Sequence, residues 1–296
     1  MRNTAAKCIF EYCKQNKNGF LIAGDAGFGV WDGFKTELPE QYINTGINEA
    51  ATIGLAAGMA LSGHRVFVYN IIPFLIMRSY EQVRIDIGYQ KLPVIMVGIG
   101  SGITYAPSGM THYSVEDITL AKTIPDLNII SPSDPVGVTK ALEYAVNSDC
   151  PTFIRLSKSG EPVIFAADTD ITKPVTMKDG RDTAIIFHGS IADEVLAAAE
   201  QLPDTAVIAM PVIHPLDKEA VCRTLGRYKK IFVVEEHFQS GGLGTILTEL
   251  AADEGINCKI IRVGIPNESI HHIGNCGYLR TIYGLDAQSI ISKVRG

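Results

Sequence analysis

Short all-apolar runs alternate with longer stretches of helical period along this 296-residue chain. FLIAGD (Phe20–Asp25), HRVFVYN (His64–Asn70), LPVIMVGIG (Leu92–Gly100), LNIISPSD and PTFIRLSK are apolar runs bounded by turn residues. Strands of a parallel sheet covered on both faces read this way. Between them lie an amphipathic stretch at the N-terminus, the stretch from Tyr42 to Gly63, a helix that Pro73 can open and that runs to Gly88, and PVGVTKALEYAVNS. Strand-helix alternation of this regularity predicts a parallel sheet flanked by helices. From about residue 159 to 180 the pattern breaks into Pro, Asp, Thr and Lys, and a second alternation follows. DTAIIFHG, TAVIAMPVI, KKIFVVEEH and CKIIRVGI read as its strands, with SIADEVLAAAEQL, PLDKEAVCRTLGRY and GGLGTILTELAADEG as helices between them. The expected fold is therefore two α/β domains with parallel sheets, at residues 1–160 and 181–296, joined by a linker over 161–180, the second domain being the smaller.

The first domain is organised around YINTGINEAATIGLAAGMALSG. Asn48 or Thr45 can cap a helix there, and Gly63 stands where a C′ glycine closes one. From Ala51 to Leu61 this helix is apolar or small on every side, the pattern of a buried helix. Glu49, in its first turn, goes into the interior with it. A buried carboxylate needs a partner or a task. The competing reading is a first-turn Glu that faces water and complements the helix dipole.

Composition narrows the class. With 46% hydrophobic and 20% charged residues, the chain reads as a soluble globular protein with little room for disorder. The net charge of −6 is spread along the chain with no basic stripe, which argues against nucleic acid and anionic membrane as partners. No run approaches a membrane span and no signal peptide is visible. Six scattered cysteines form no CxxC pair, so free thiols in a reducing cytoplasm are expected rather than zinc or a redox motif.

Several loops hold chemistry-bearing residues. GDAGFG (Gly24–Gly29) follows a strand but matches neither phosphate-binding pattern, and a tight turn is expected. GGLG (Gly241–Gly244) opens a helix whose amides have the capacity to hold an anion, although a strand-to-helix turn needing room accounts for it too. His112 lies in a long loop after a buried strand, where the ligand crevice of an open parallel sheet forms. Ser114 and Asp117 have the spacing of a capping box. His271, His272 and Cys276 have donor types without the spacing of a metal site. Arg78 and Arg84 read as solvated or ion-paired, and Arg155 and Lys158 end a strand where an anionic substrate can meet them.

Taken in order, these windows resemble the C-terminal half of transketolase and of its relative deoxyxylulose-5-phosphate synthase. TGINEAATIGLAAGMALSG, PFLIMRSYEQVRIDIGYQKLPV, GMTHYSVEDITLAKTIPDLNIISPSD, PTFIRLSK, MPVIHPLD and VVEEHFQSGGLG carry the resemblance over nearly the whole chain. It implies a pyrimidine-binding domain for thiamine diphosphate, followed by the smaller transketolase C-terminal domain. The family's catalytic glutamate falls on Glu49, which would hydrogen-bond the aminopyrimidine ring and favour the imino tautomer that activates the thiazolium carbon. Phe74 resembles the aromatic that stacks on the pyrimidine, with Tyr80 a neighbour. His112 matches the histidine that contacts the donor sugar.

The resemblance also marks what is missing. The family's other half carries a GDG motif followed by an Asn, which holds Mg²⁺ and the diphosphate, and no GDG occurs here. A split enzyme is implied: a second chain supplies the diphosphate-binding domain and Mg²⁺ site, the assembly is α₂β₂, this chain also self-associates as a dimer, and ketol transfer runs between a sugar donor and an aldehyde acceptor. Ser108 stands where the family's loop usually has an Asp that reads a sugar hydroxyl. Gly100 replaces a frequent substrate-binding His, Gly29 a phosphate-binding Ser, and Lys158 the usual Arg. The substrates need not be standard phosphorylated sugars. Competing readings are a 2-oxo acid dehydrogenase β-type subunit, a deoxyxylulose-type condensation and a non-catalytic family member.

Overall fold

The computed structural model describes residues 1–158 and 160–296; Ser159, at the edge of the expected linker, lies outside the described residues. Among the described residues the strands are β1 (Gly19–Ala23), β2 (Tyr42–Asn44), β3 (Arg65–Ile71), β4 (Ile95–Ile99), β5 (Asn128–Ile130), β6 (Thr152–Leu156), β7 (Val175–Lys178), β8 (Thr183–Phe187), β9 (Thr205–Ala209), β10 (Val212–His214), β11 (Lys230–Phe238) and β12 (Lys259–Ile265). They form a seven-stranded sheet of order β10-β5-β6-β4-β3-β1-β2 and a five-stranded sheet of order β12-β11-β8-β9-β7. Pairing is parallel except for the edge strands β10 and β7. The expected pair of parallel-sheet α/β domains is the architecture found.

The all-apolar runs are the sheet centres for the reason the pattern gave. Every residue of β4 and β6 is buried, because helices cover both faces. Two departures follow from tertiary packing. TAVIAMPVI, expected as one strand of the second domain, is two: Thr205–Ala209 joins the second sheet, while Val212–His214 crosses back and pairs antiparallel with β5 of the first. The second domain's chain thus finishes the first domain's sheet. The stretch expected as linker also contributes β7, which pairs antiparallel with β9. Two further helices, Cys276–Ile282 and Ala287–Arg295, close the second domain.

The helix Glu49–Leu61 corrects the expectation of complete burial. Glu49, Thr52, Ile53, Ala56 and Ala57 are buried, whereas Ala51, Gly54, Leu55, Gly58 and Leu61 on the other face are exposed. Neither Asn48 nor Thr45 caps it with a side chain; the Thr45 hydroxyl instead bonds that of Thr52 at 2.6 Å. Gly63 closes it with φ +90°, as its place predicted. The stretch after Pro73 is helical but wound wide, with i→i+5 turns over Pro73–Met77 and Val83–Tyr89. Such π turns often accompany functional sites.

The capping-box expectation at Ser114 and Asp117 is also overturned. Ser114 Oγ donates to Gly100 O at 2.7 Å, and Asp117 pairs with Arg155 at 2.7 Å, both side chains fully buried. Arg155 therefore does not face a substrate. The amides that open the helix Leu243–Asp253 do hold an anion, but it is the chain's own: Leu243 N and Gly244 N each donate to the Glu235 carboxylate at 2.9 Å. All six cysteines are free. Among the described residues no helix is long and apolar enough to cross a membrane.

Candidate active site

The site lies beyond the carboxyl ends of β3 and β4, where the crevice of an open parallel sheet forms. Three segments meet there: the first turn of the Glu49 helix, the wide turn after β3, and the loop from Gly100 to Ser114 after β4. Glu49 is 7% exposed. Its Oε1 accepts from Arg78 Nη1 at 3.0 Å, and Arg78 itself is half exposed. The Arg78 guanidinium lies over the Phe74 ring, 4.3 Å from its centroid. The two residues are four apart, and the wide turn puts them on one face. Ser79 Oγ ties the same turn down by donating to the carbonyls of Phe74 and Leu75.

His112 stands edge-on to Phe74, with ring centroids 5.3 Å apart, and 6.2 Å from the Tyr105 ring. Its Nδ1 is 2.9 Å from Thr111 Oγ1. When that hydroxyl donates its proton to Ser108 O at 3.2 Å, Nδ1–H of a neutral ring is the donor and Nε2 keeps a free lone pair. Lys158 Nζ sits over the Tyr105 ring at 6.0 Å. Glu49, Phe74 and His112 are therefore joined in one run of contacts through Arg78 and Tyr105, and Lys158 flanks it through Tyr105. Ser108 is exposed on the same loop, where its backbone carbonyl rather than its hydroxyl orders Thr111. Tyr80 points elsewhere: its hydroxyl bonds Thr123 Oγ1 at 2.5 Å, tying the wide helix to the helix Asp117–Lys122.

The ion-paired reading of Arg78 holds, with Glu49 as the partner that the sequence did not name; Tyr105, which links His112 to Lys158, was passed over. The i, i+4 spacing from Phe74 was the available signal for Arg78. No sequence signal marked Tyr105. A buried carboxylate beside the half-buried Phe74 ring is the pair that one end of an aminopyrimidine needs, an acid or carboxylate for its ring nitrogen and an aromatic face for its plane, and here Arg78 lies against both. Among the described residues no group of three or more His, Cys, Asp or Glu stands together to hold a metal.

Comparison with known proteins identifies the family. The family described as transketolase, pyrimidine binding domain, matches residues 1–162, and transketolase, C-terminal domain, matches residues 173–290. The chain is 33% identical over 297 residues to one of the subunits of the apulose-4-phosphate transketolase of Phocaeicola vulgatus, covering 98% of this chain and 94% of that one. It is 30% identical to a 6-deoxy-6-sulfo-D-fructose transketolase subunit of a Clostridium species, covering 98% and 92%. It is 32% identical to 1-deoxy-D-xylulose-5-phosphate synthase of a Synechococcus species, but spans only 42% of that protein. Among solved structures, a split-gene transketolase described as an inactive beta4 tetramer superposes with a TM-score of 0.87 at 25% identity, covering 99% of this chain and 96% of that one. With both family domains matched in order over nearly its whole length, the chain belongs to the transketolase family, as a split-type subunit that carries the pyrimidine-binding and C-terminal domains.

Proposed function

We propose that this chain works with a second subunit, which brings the diphosphate- and Mg²⁺-binding domain, to transfer a two-carbon ketol unit from a ketose to an aldehyde. The observation that carries this reading is the placement of buried Glu49 at the root of a helix whose outer face is open and apolar. That face, Ala51, Gly54, Leu55, Gly58 and Leu61, ends beside the crevice, so a subunit seated on it would complete the site from the other side. Exposed Ile47, at 74%, extends the same surface. Relatives of nearly the same length are named as transketolase subunits, which supports a two-chain enzyme. An α₂β₂ assembly with two sites at interfaces follows from two-fold pairing. Six free thiols are in keeping with a cytoplasmic place of action.

Thiamine diphosphate supplies a carbanion-stabilising centre when bound. This chain's residues prepare the place for its pyrimidine. Glu49 would hold a proton on or off a ring nitrogen, shielded from water that would otherwise compete for the bond. Phe74 would support the ring plane. His112, with Nδ1–H tied to Thr111, would turn Nε2 to a donor hydroxyl and accept its proton. Ser108 and Lys158 would read the far end of the substrate, Lys158 as a point charge without the fork of an arginine. Tyr80 supports the turn that carries Phe74.

Calorimetric titration of thiamine diphosphate with Mg²⁺, into the chain alone and into the chain with a diphosphate-domain subunit, tests the half-site. Binding only in the mixture is expected; tight binding to the chain alone would refute the division of the site. A second reading, condensation of a 2-oxo acid with an aldehyde, is favoured by the identity to deoxyxylulose-phosphate synthases. Ketose consumption against pyruvate decarboxylation by the same complex separates the two.

A further inference from the structure

The loop that carries His112 is open at its tip but fixed at its roots. Gly102 and Ser114 pair across it as an antiparallel bridge, with N–H to carbonyl distances of 3.2 and 2.9 Å. What grips this bridge from outside comes from Arg155 and the second domain. Arg155 Nη2 donates to Ser114 O and to Glu236 O, both at 2.9 Å, while its Nε holds Asp117. The Glu236 carboxylate accepts from Ser190 Oγ at 2.7 Å and from Arg280 Nε at 2.6 Å. The Ser101 hydroxyl donates in turn to Ser190 at 3.3 Å. Phe238 N, on β11, donates to Val115 O at 2.7 Å.

Stability alone does not account for the Arg155–Asp117 pair. Both side chains are wholly buried, and among the described residues Arg155 Nη1 and Asp117 Oδ1 have no hydrogen-bond partner. A buried pair left partly unsatisfied is often no better for stability than two well-packed apolar residues. Its contribution is direction: the planar fork reaches the loop root, the Asp117 helix and β11 from one fixed plane.

We infer that the second domain sets the position of His112, with Arg155, Asp117, Glu236 and Ser190 as positioning residues that hold the loop roots against β11. The inference rests on the ketol-transfer reading for what His112 does; the clamp itself is a property of this chain. A misplacement of about 1 Å at a reacting group can cost on the order of 100-fold in rate.

The test uses the full chain and three variants: Ser190→Ala, Ser190→Thr, which restores the hydroxyl, and Arg155→Met with Asp117→Leu, which removes both charges together. Hydrogen exchange of residues 101–114 is read against β1 and β3 in the same molecule. Exchange about tenfold faster in that segment alone is expected for Ser190→Ala and the double variant, and wild-type exchange for Ser190→Thr. In the complete complex, kcat for ketol transfer should fall about 10- to 100-fold with cofactor affinity unchanged. Unaltered exchange of 101–114 in Ser190→Ala, or a rise spread evenly over the chain, overturns the inference. Should the double variant fail to fold, Ser190→Ala decides. A wild-type complex without ketol transfer would count against the functional reading, while the exchange result still judges the clamp.

Discussion

Replacing Glu49 by Gln separates what this residue does for the fold from what it does for chemistry. The change keeps size and shape, and the amide oxygen still accepts from Arg78. What it removes is a charge 3.0 Å from a guanidinium whose side chain is 47% exposed. An ion pair open to water on one side contributes little, so the loss should stay under about 1 kcal/mol. For domains of this size that is a fall of roughly 2–4 °C or less in Tm. Catalysis should respond on another scale, because a positioned proton-holding group contributes about 10²- to 10⁴-fold. At about 1.4 kcal/mol per decade that is roughly 3–5 kcal/mol, several times the stability effect. The assay is ketol transfer by the variant and the wild-type chain, each assembled with the diphosphate-domain subunit, followed through the aldose product. Thermal melts are run on the same preparations. A variant with wild-type activity would refute the role of Glu49, and so would an activity loss that merely tracks unfolding.

Three other expectations are open to measurement. Gly102 has φ +60°, and a Cβ there would run into the Glu236 side chain, so Gly102→Ala should destabilise by about 2 kcal/mol or more in urea unfolding; an unchanged midpoint would show that the two domains are not pressed together there. Leu55→Asp, on the exposed helix face, should leave the isolated chain's stability within about 0.5 kcal/mol yet weaken subunit association at least about 100-fold by sedimentation, since a charge would be buried at the contact. Stability should also fall in acid, in two stages. Burial holds the His237 pKa below its ordinary 6.5, so below that value the unfolded chain takes up a proton that the folded one resists, and stability falls as pH drops. For Glu235 burial raises the pKa, but the His188 bond, the neighbouring histidines and the Gly244 amide bring the net value below 4.5, so its contribution is lost only as pH falls below 4.5. Urea midpoints from pH 7 down to about 3 should show both stages, and His237→Gln should flatten the upper one.

The apolar runs marked the central strands, though not the edge strands β7 and β10. A stretch such as IMVGI is excluded from a half-exposed position by its own composition, so β4 could only be a sheet centre. Gly63 marked the end of its helix because few other residues accept a left-handed backbone there. For Glu49 the helix body left burial and a water-facing first turn both open, and the structure shows it buried. The absence of a polar face misled about the helix as a whole: composition reports that no side chain demands water, not whether this chain or another covers the far side. Whether Tyr80 faces a ligand, or VIH pairs with the first sheet or the second, depends on contacts between residues 40 to 90 apart in sequence, which no local pattern encodes. The same holds for Arg78 on Glu49 and Arg155 on Ser114: each bond is made by a side chain long enough to have several partners, and packing selects one. Local chemistry marked the strand centres, and only the tertiary structure decided which helix face is covered and which side chains meet.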